Sequence, residues 1–353
     1  MIYRKILIVN TFGIGDVLFT TPLIQNIKEQ SPDVILGYIA NARTAPILKH
    51  HPLINHVYIY ERDEFYEVYR RSRRAFLKKS FDFIRDIKAC GYDLVIDLSL
   101  NMSTGLLMKL AGVAKRVGFD YKGRGRFLTD KIPLKGYEGK HIIEFYGEIL
   151  QWLGLRPGQM AMKFPMDSAD VQHVSEILES HASKAPVVTI VPGGGASWGR
   201  DASRKRWIPQ NFAQVADRLA GSCGATVVLS GGHEDRKLGE IISGLMKNPV
   251  IDLTGVLTLG QSAALFSKSR VVVTNDGGPL HMSVAAGTPT VSIFGPVDER
   301  VYGPYPSAGH KVVCSNIACR PCYRRFRVAQ CDHISCLKKL DTDQVFRAVE
   351  GFL

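Results

Sequence analysis

Along almost the whole chain, short runs rich in Ile, Val and Leu are followed by longer stretches in which apolar residues return every three or four positions. The short runs read as strands covered on both faces, and the longer stretches as amphipathic helices. In the first half, strands are expected at Ile6–Asn10, Val34–Ala40, Val57–Tyr60, Asp93–Leu98 and Arg116–Phe119. Helices are expected at about 15–30, 42–50, 64–90, 103–112 and 141–154. In the second half, the strands are Val187–Val191, Thr226–Ser230, Val250–Leu253, Val271–Thr274 and Thr290–Phe294, with helices at about 208–221, 235–246, 259–268 and 279–286. A short amphipathic helix runs from Thr342 to Leu353.

This βα alternation predicts α/β architecture with parallel sheets. The stretch Gly154-Leu155-Arg156-Pro157-Gly158-Gln159 interrupts it, and a second series begins near Pro186, so the junction is expected between 155 and 185. With 353 residues, about twice an ordinary domain, the expected division is residues 1–165, residues 166–340 and a C-terminal helix at 341–353. Two successive open α/β domains place ligands at the carboxyl edges of their strands, in the cleft between them.

Composition narrows the class. Apolar residues make up 45% and charged residues 22%, and no run approaches the ~18 apolar residues of a membrane span. The segment Met1-Ile2-Tyr3-Arg4-Lys5-Ile6 enters a strand without an apolar signal region, so a cytoplasmic location is expected. The net charge of +12 favours a polyanionic partner: nucleic acid, an anionic membrane surface or a phosphorylated glycolipid. The excess is concentrated at Arg70, Arg71, Arg73, Arg74, Lys78 and Lys79, and again at Lys122, Arg124 and Arg126. The apolar residues Phe65, Val68, Ala75, Phe76 and Leu77 among the first group predict a helix over 63–80 with a cationic outer face, which is either a solvated flank or a surface for phosphorylated acceptor and anionic lipid.

Four stretches carry candidate chemistry. "GIGDVLFTTPL" at 13–23 follows the first strand, and Gly13 and Gly15 permit a tight turn into a helix N-terminus. Leu18 stands where a dinucleotide fingerprint has its third glycine, and the Asp16 carboxylate would repel a pyrophosphate on that turn. Asp16 is therefore a helix cap or a general base for an incoming hydroxyl. "PGGGASWGRDASRKRWIP" offers Gly193 and Gly194 for close backbone approach and a cation such as Lys205 for a diphosphate, or else is a solvated basic loop with a packed Trp207. In "GGHED", Glu234 and Asp235 are placed to accept hydrogen bonds from a ribose or simply to start a helix. "TNDGGPLHMSVAAGTPTVSIFGP" ends a buried strand in Asp276, Gly277 and Gly278 and opens a helix carrying His281, an arrangement suited to a phosphate.

Taken in this order, the four stretches resemble the ADP-heptose:lipopolysaccharide heptosyltransferases of glycosyltransferase family 9, over about residues 4–305. The resemblance implies a GT-B fold: α/β, two Rossmann-like domains with parallel sheets facing an interdomain cleft, acceptor on the first and nucleotide sugar on the second. It implies an inverting glycosyltransferase that moves a heptose from ADP-heptose to the lipopolysaccharide inner core. A relative using another nucleotide sugar for a cell-surface glycan is the alternative. By the same resemblance Asp16 matches the proposed base, with Gly13, Gly15 and Thr20 in its loop. Lys205 matches the donor-phosphate lysine, Glu234 or Asp235 the nucleoside-binding acid, and Asp276, Gly278 and His281 the donor-site motif, beside Gly193, Gly194 and Gly277. The implied partners are an ADP-sugar, a lipopolysaccharide or lipid A core acceptor and the anionic inner-membrane surface, with no nucleic acid. The implied location is peripheral, at the cytoplasmic face of the inner membrane.

Displacement at an anomeric carbon needs a base at the attacking hydroxyl and stabilisation of the departing diphosphate, which amides and Lys205 supply without a cofactor or metal. The one Asp-x-Asp, Asp341-Thr342-Asp343, lies in the tail and is a poor metal-binding candidate. Cys314, Cys319, Cys322, Cys331 and Cys336 are spaced C-x4-C-x2-C-x8-C-x4-C, which in a cytoplasmic chain reads as reduced thiols or a metal site but matches no standard zinc module. A Rossmann oxidoreductase would also need an acid ending the second strand, which instead ends Tyr38-Ile39-Ala40-Asn41. A noncatalytic polyanion-binding protein would leave the second-half motifs without a role.

Overall fold

Ile6, Leu7, Ile8 and Val9 are wholly buried, as continuous apolar runs are in a parallel sheet covered on both faces. The computed structural model describes residues 3–181, 185–194 and 196–353. The chain divides into two units, Met1–Tyr137 with Ile143–Met160, and Glu138–Ile142 with Ala161–Leu353. The first unit contains β1 (Lys5–Val9), β2 (Ile35–Ala40), β3 (His56–Ile59), β4 (Leu94–Asp97), β5 (Lys115–Tyr121) and β6 (Asp130–Leu134), in the order β3-β2-β1-β4-β5-β6. The second contains β7 (Val187–Val191), β8 (Thr226–Leu229), β9 (Ile251–Asp252), β10 (Val271–Asn275), β11 (Thr290–Phe294) and β12 (Lys311–Cys314), in the order β12-β11-β10-β7-β8-β9. All neighbours in both sheets are parallel.

Numbered from its own first strand, each sheet has the Rossmann order 3-2-1-4-5-6. The order in which strands are added reverses between β1 and β4 in one unit and between β7 and β10 in the other. Loops leaving the carboxyl ends of those strands line the crevice where such sheets bind ligands.

The structure departs from the expected elements where local pattern is weak. β6 and β12 were not expected; "DKIPL" and "KVVC" are edge strands, where Lys and Pro are tolerated because one side of the ladder is unpaired. The helix expected over 15–30 is two, Ile14–Leu18 and Thr21–Gln30, the second with Pro22 in its first turn. The helix expected over 64–90, including the cationic stretch 63–80, breaks at Ser72, whose extended backbone (φ −157°, ψ 117°) separates Arg62–Arg71 from Arg73–Cys90. The Ser72 hydroxyl accepts from Ala75 N–H and caps the second helix. The stretch assigned to the junction contains helix Ser168–Ser180, which buries Val174 beside Val228, Ala264 and Leu265.

The C-terminal helix Thr342–Glu350 packs Val345, Phe346 and Val349 into the core that holds Phe212, Val215 and Leu219. Arg218 lies 4.0 Å over the Phe346 ring.

Candidate functional site

In the first unit, Asn10 follows β1 fully buried and shapes the glycine loop with its side chain. Its amide donates to Asp16 O at 3.0 Å, and its Oδ1 accepts from Phe12 N–H at 3.2 Å. Gly13 precedes helix Ile14–Leu18, and the Gly13 N–H donates to Asp16 Oδ2 at 3.0 Å. The capping reading of Asp16 is thus part of its geometry, and it fixes a half-buried carboxylate at the switch point. Thr20 is wholly buried: its hydroxyl donates to Val17 O at 2.6 Å and meets Tyr38 Oη at 3.0 Å, so it braces the helix start from beneath. Burial, with the Asp16 charge adding to it, pushes the hydroxyls of Tyr38 and Tyr137 upward and keeps both neutral.

The neighbouring switch strand β4 ends in buried Asp97, which accepts from Ser99 Oγ at 2.6 Å, Ser99 N–H at 3.0 Å and Thr104 Oγ1 at 3.0 Å. Burial raises its pKa from the ordinary carboxylate value, against the lowering effect of these hydrogen bonds. These local bonds hold the following turn, where Leu100 takes a left-handed backbone (φ 52°).

In the second unit, Asn275 at the end of β10 joins three segments. Its amide donates to Pro192 O at 2.8 Å and Gly193 O at 2.9 Å, and its Oδ1 accepts from Trp207 N–H at 2.9 Å. The loop after β7 is thereby fixed over β10. Lys205, 7% exposed, places Nζ 2.6 Å from Asp276 Oδ2 and 4.4 Å from the centre of the Trp198 ring. Helix Gly278–Ala285 begins two residues after Asp276 and directs its N-terminal amides to this end of the sheet. An anion held there would meet a cation and a helix dipole together. Lys205 is therefore part of a buried pair; the solvated-loop reading does not apply to it.

The two acids of "GGHED" separate clearly. Asp235 is 5% exposed and accepts from Gly232 N–H at 3.0 Å, with Arg206 Nη2 3.5 Å away. A Cβ on Gly193 would stand 2.2 Å from the Asp235 carboxylate, so Gly193 is there because nothing larger fits. Gly194 supplies φ 108°, and its carbonyl accepts from Arg206 Nε at 2.9 Å. Asp235 is used from below, whereas Glu234 is exposed.

His281 is 4% exposed, and burial, reinforced by nearby His141 and Lys205, holds it well below the usual histidine range and neutral. His141 belongs to the second unit although it lies in the first half of the chain. Its Nε2 is 3.1 Å from Gly303 O, its ring stacks on Tyr305 at 4.7 Å, and burial lowers it to about 4. Sequence reasoning missed His141 and Trp198 and gave Asn275 no task. A polar residue closing a buried strand was the available signal for Asn275; His141 offered none.

Of the basic residues, Lys122, Arg124 and Arg126 are exposed on the loop leaving β5, at the same sheet edge as the Asp16 loop. Lys122 and Arg124 both lie against one ring, Tyr121, at 5.1 and 5.6 Å from its centre. Arg70, Arg71, Arg73 and Arg74 flank the Ser72 break and are all exposed, and among the described residues only Arg71 has an ion pair, with Glu67 at 3.9 Å.

Burial, followed by neighbouring Cys331 and Cys319, pushes the Cys322 thiol up; Cys336 is raised in the same way. Among the described residues no three His, Cys, Asp or Glu side chains converge as a metal site. No helix among them is long and apolar enough to cross a membrane.

Two parallel α/β units of Rossmann order make a GT-B fold, shared with solved heptosyltransferase structures. The family model "Glycosyltransferase family 9 (heptosyltransferase)" matches residues 80–333. The chain belongs to this family. It is 27% identical over 303 residues to lipopolysaccharide heptosyltransferase 3 of Escherichia coli, covering 82% of this chain and 83% of that protein. It is 25% identical over 304 residues to lipopolysaccharide heptosyltransferase 2 of Escherichia coli strain K12, covering 83% of each. Among solved structures, the family 9 glycosyltransferase of Veillonella parvula superposes with a TM-score of 0.81 at 22% identity, over 99% of this chain and 97% of that one. Escherichia coli heptosyltransferase WaaC with ADP gives 0.73 at 19% identity, over 99% and 100%.

Proposed function

We propose that the protein transfers a heptose from ADP-heptose to the lipopolysaccharide inner core with inversion. The observation that carries this reading is the buried Lys205–Asp276 pair beside the N-terminus of helix Gly278–Ala285, a cation and dipole site suited to a diphosphate leaving group. Asp16 takes the proton from the acceptor hydroxyl, whose oxygen forms the new bond to the anomeric carbon as the carbon–oxygen bond to the diphosphate breaks. ADP leaves with that electron pair, held by Lys205 and the amides of Gly277 and Gly278. Glu234, exposed where Asp235 is not, contacts the ribose. Neutral His281 contributes a hydrogen bond rather than a charge.

The acceptor half rests on the exposed cations of the first unit. Lys122, Arg124 and Arg126 meet the phosphorylated core, and Arg70, Arg71, Arg73 and Arg74 meet the same acceptor and the anionic inner leaflet at the cytoplasmic face, an attraction that salt weakens. The relatives named as lipopolysaccharide heptosyltransferases support donor and acceptor together. Incubation with ADP-heptose and a panel of truncated lipopolysaccharide cores, read by mass spectrometry, tests the reading: one core should gain a single heptose. Transfer from a different nucleotide sugar, with none from ADP-heptose, would assign the protein to another cell-surface glycan.

A further inference from the structure

Lys205 ends a segment of 3₁₀ turns, Ala196–Lys205, interrupted at Gly199 (φ 55°, ψ −120°). Such turns have poor internal hydrogen bonding, so the position of the ammonium depends on what packs against the segment. One neighbour comes from more than a hundred residues further along the chain. The hairpin of Tyr323–Arg324 and Arg327–Val328 turns through Arg325 and Phe326, both left-handed (φ 50° and 62°), and lies among the clustered cysteines. It is anchored to the loop after β11: the N–H groups of Cys322 and Tyr323 both donate to Pro296 O at 2.9 Å, and Arg320 Nε donates to Gly295 O at 3.0 Å. Arg320 also pairs with Glu299 at 2.8 Å.

From this anchor the Tyr323 ring reaches Trp198, at 4.9 Å between centroids and 33° between planes, and it meets Tyr302 edge-on at 6.0 Å. Trp198 in turn carries Lys205 Nζ over its face. Arg204, next to Lys205, donates to Ala329 O at 3.4 Å on the far side of the hairpin. The line of contact runs Tyr323, Trp198, Lys205, Asp276, and Tyr323 is held by its backbone hydrogen bond to the loop after β11.

We propose that Tyr323 is a positioning residue for donor binding: through Trp198 it holds the Lys205 ammonium where the donor diphosphate binds, which makes the C-terminal hairpin part of the nucleotide-sugar site. The inference rests on the reading of Lys205 as a diphosphate ligand. Tyr323 touches no substrate itself. An aromatic contact and a cation–ring contact together are enough to bias the lysine several-fold toward the competent position.

Calorimetry with ADP and with adenosine on the full chain tests this. Tyr323→Leu, which keeps an apolar side chain and removes the ring, should weaken ADP about fivefold and leave adenosine unchanged, while Tyr323→Phe should restore ADP affinity. In a Lys205→Ala background, Tyr323→Leu should cost nothing further, since the cation it positions is gone. Circular dichroism of each variant separates a folding defect from a loss of affinity. Equal losses for ADP and adenosine, or an undiminished loss in the Lys205→Ala background, would overturn the proposal. Unchanged ADP binding by Lys205→Ala itself would instead overturn the reading of Lys205, so the two failures are distinguishable.

Discussion

The two sheets share one strand order, yet the crevice loop after the first strand of each takes its acid from a different place. After β1, the glycine loop keeps its acid to itself: Gly13 bonds to Asp16 three residues on and the Asn10 side chain to Asp16 O and Phe12 N–H, while Asn41 after β2 donates to Thr11 O at 2.9 Å and Phe12 O at 2.7 Å. After β7, the glycine loop is held by residues brought from elsewhere, with Asn275 above it and Asp235 beneath Gly193. A carboxylate bonded within its own loop is held in one place. A loop assembled from several strands can surround a ligand. In the proposed reaction the first unit supplies the proton acceptor and the second grips the nucleotide.

The largest test of this division is Asp16→Asn. The amide still accepts from Gly13 N–H, so the fold and ADP affinity should stay at wild-type values while turnover falls at least ~10²-fold. Near-wild-type turnover would leave Asp16 with capping alone. Next is Lys205→Ala, expected to weaken ADP-heptose on the order of tenfold or more relative to adenosine, because a charged hydrogen bond to phosphate is lost and nothing at the nucleoside changes. Asp276 is then left buried without its cation, so melting should accompany the titration, and Lys205→Arg provides a variant that keeps the charge.

A third test uses acid. His51 in the first unit and His141 in the second are lowered by burial to about 4, and His281 in the second lies well below its usual range. These groups are neutral when folded and bind protons when unfolded, so their contribution is complete above about pH 6.5 and is lost as pH falls toward the folded values. Each costs about 1.4 kcal/mol of stability by pH 5.5. The second unit, where burial also lowers His310, has three such histidines against one and should open at least roughly tenfold more readily than the first between pH 7.5 and 5.5. Hydrogen exchange read separately for the two units checks this, and equal acid sensitivity would count against it. The smallest effect is expected from replacing Arg70, Arg71, Arg73 and Arg74 by Gln together. Acceptor KM should rise roughly three- to tenfold at low salt, with a flatter salt dependence and unchanged donor affinity. If acceptor KM and binding to anionic vesicles both hold at wild-type values, the cluster is a solvated face.

The same contrast between local and assembled structure explains what could be read along the chain. Runs such as Ile6–Val9 and Val271–Val273, buried on both faces, carry their own signal, and so does a glycine loop that closes on the next turn. β6 and β12 were obscured by Lys and Pro at sheet edges, and the Ser72 break by a serine that suits a cap as well as a helix surface. The chemistry-bearing stretches were recognisable from their order. The separation of Glu234 from Asp235 was not, since it depends on Gly193 lying over one of two adjacent acids. Nor does anything near Lys205 announce that its partners are Asp276 and a ring in contact with Tyr323.

The short segment Glu138–Ile142 has a consequence for dissecting or recombining the protein. The chain does not pass from one unit to the other once; it enters the second unit for five residues, returns, and leaves again after Met160. A fragment beginning at Ala161 would lack His141, which stacks on Tyr305 and bonds to Gly303 within that fragment. A chimera that exchanges the second unit between family members must therefore carry residues 138–142 with it, or place a foreign residue beside its own Gly303 and Tyr305. Modules in this chain are separable in space but interleaved in sequence, and a single crossover point cannot exchange one intact.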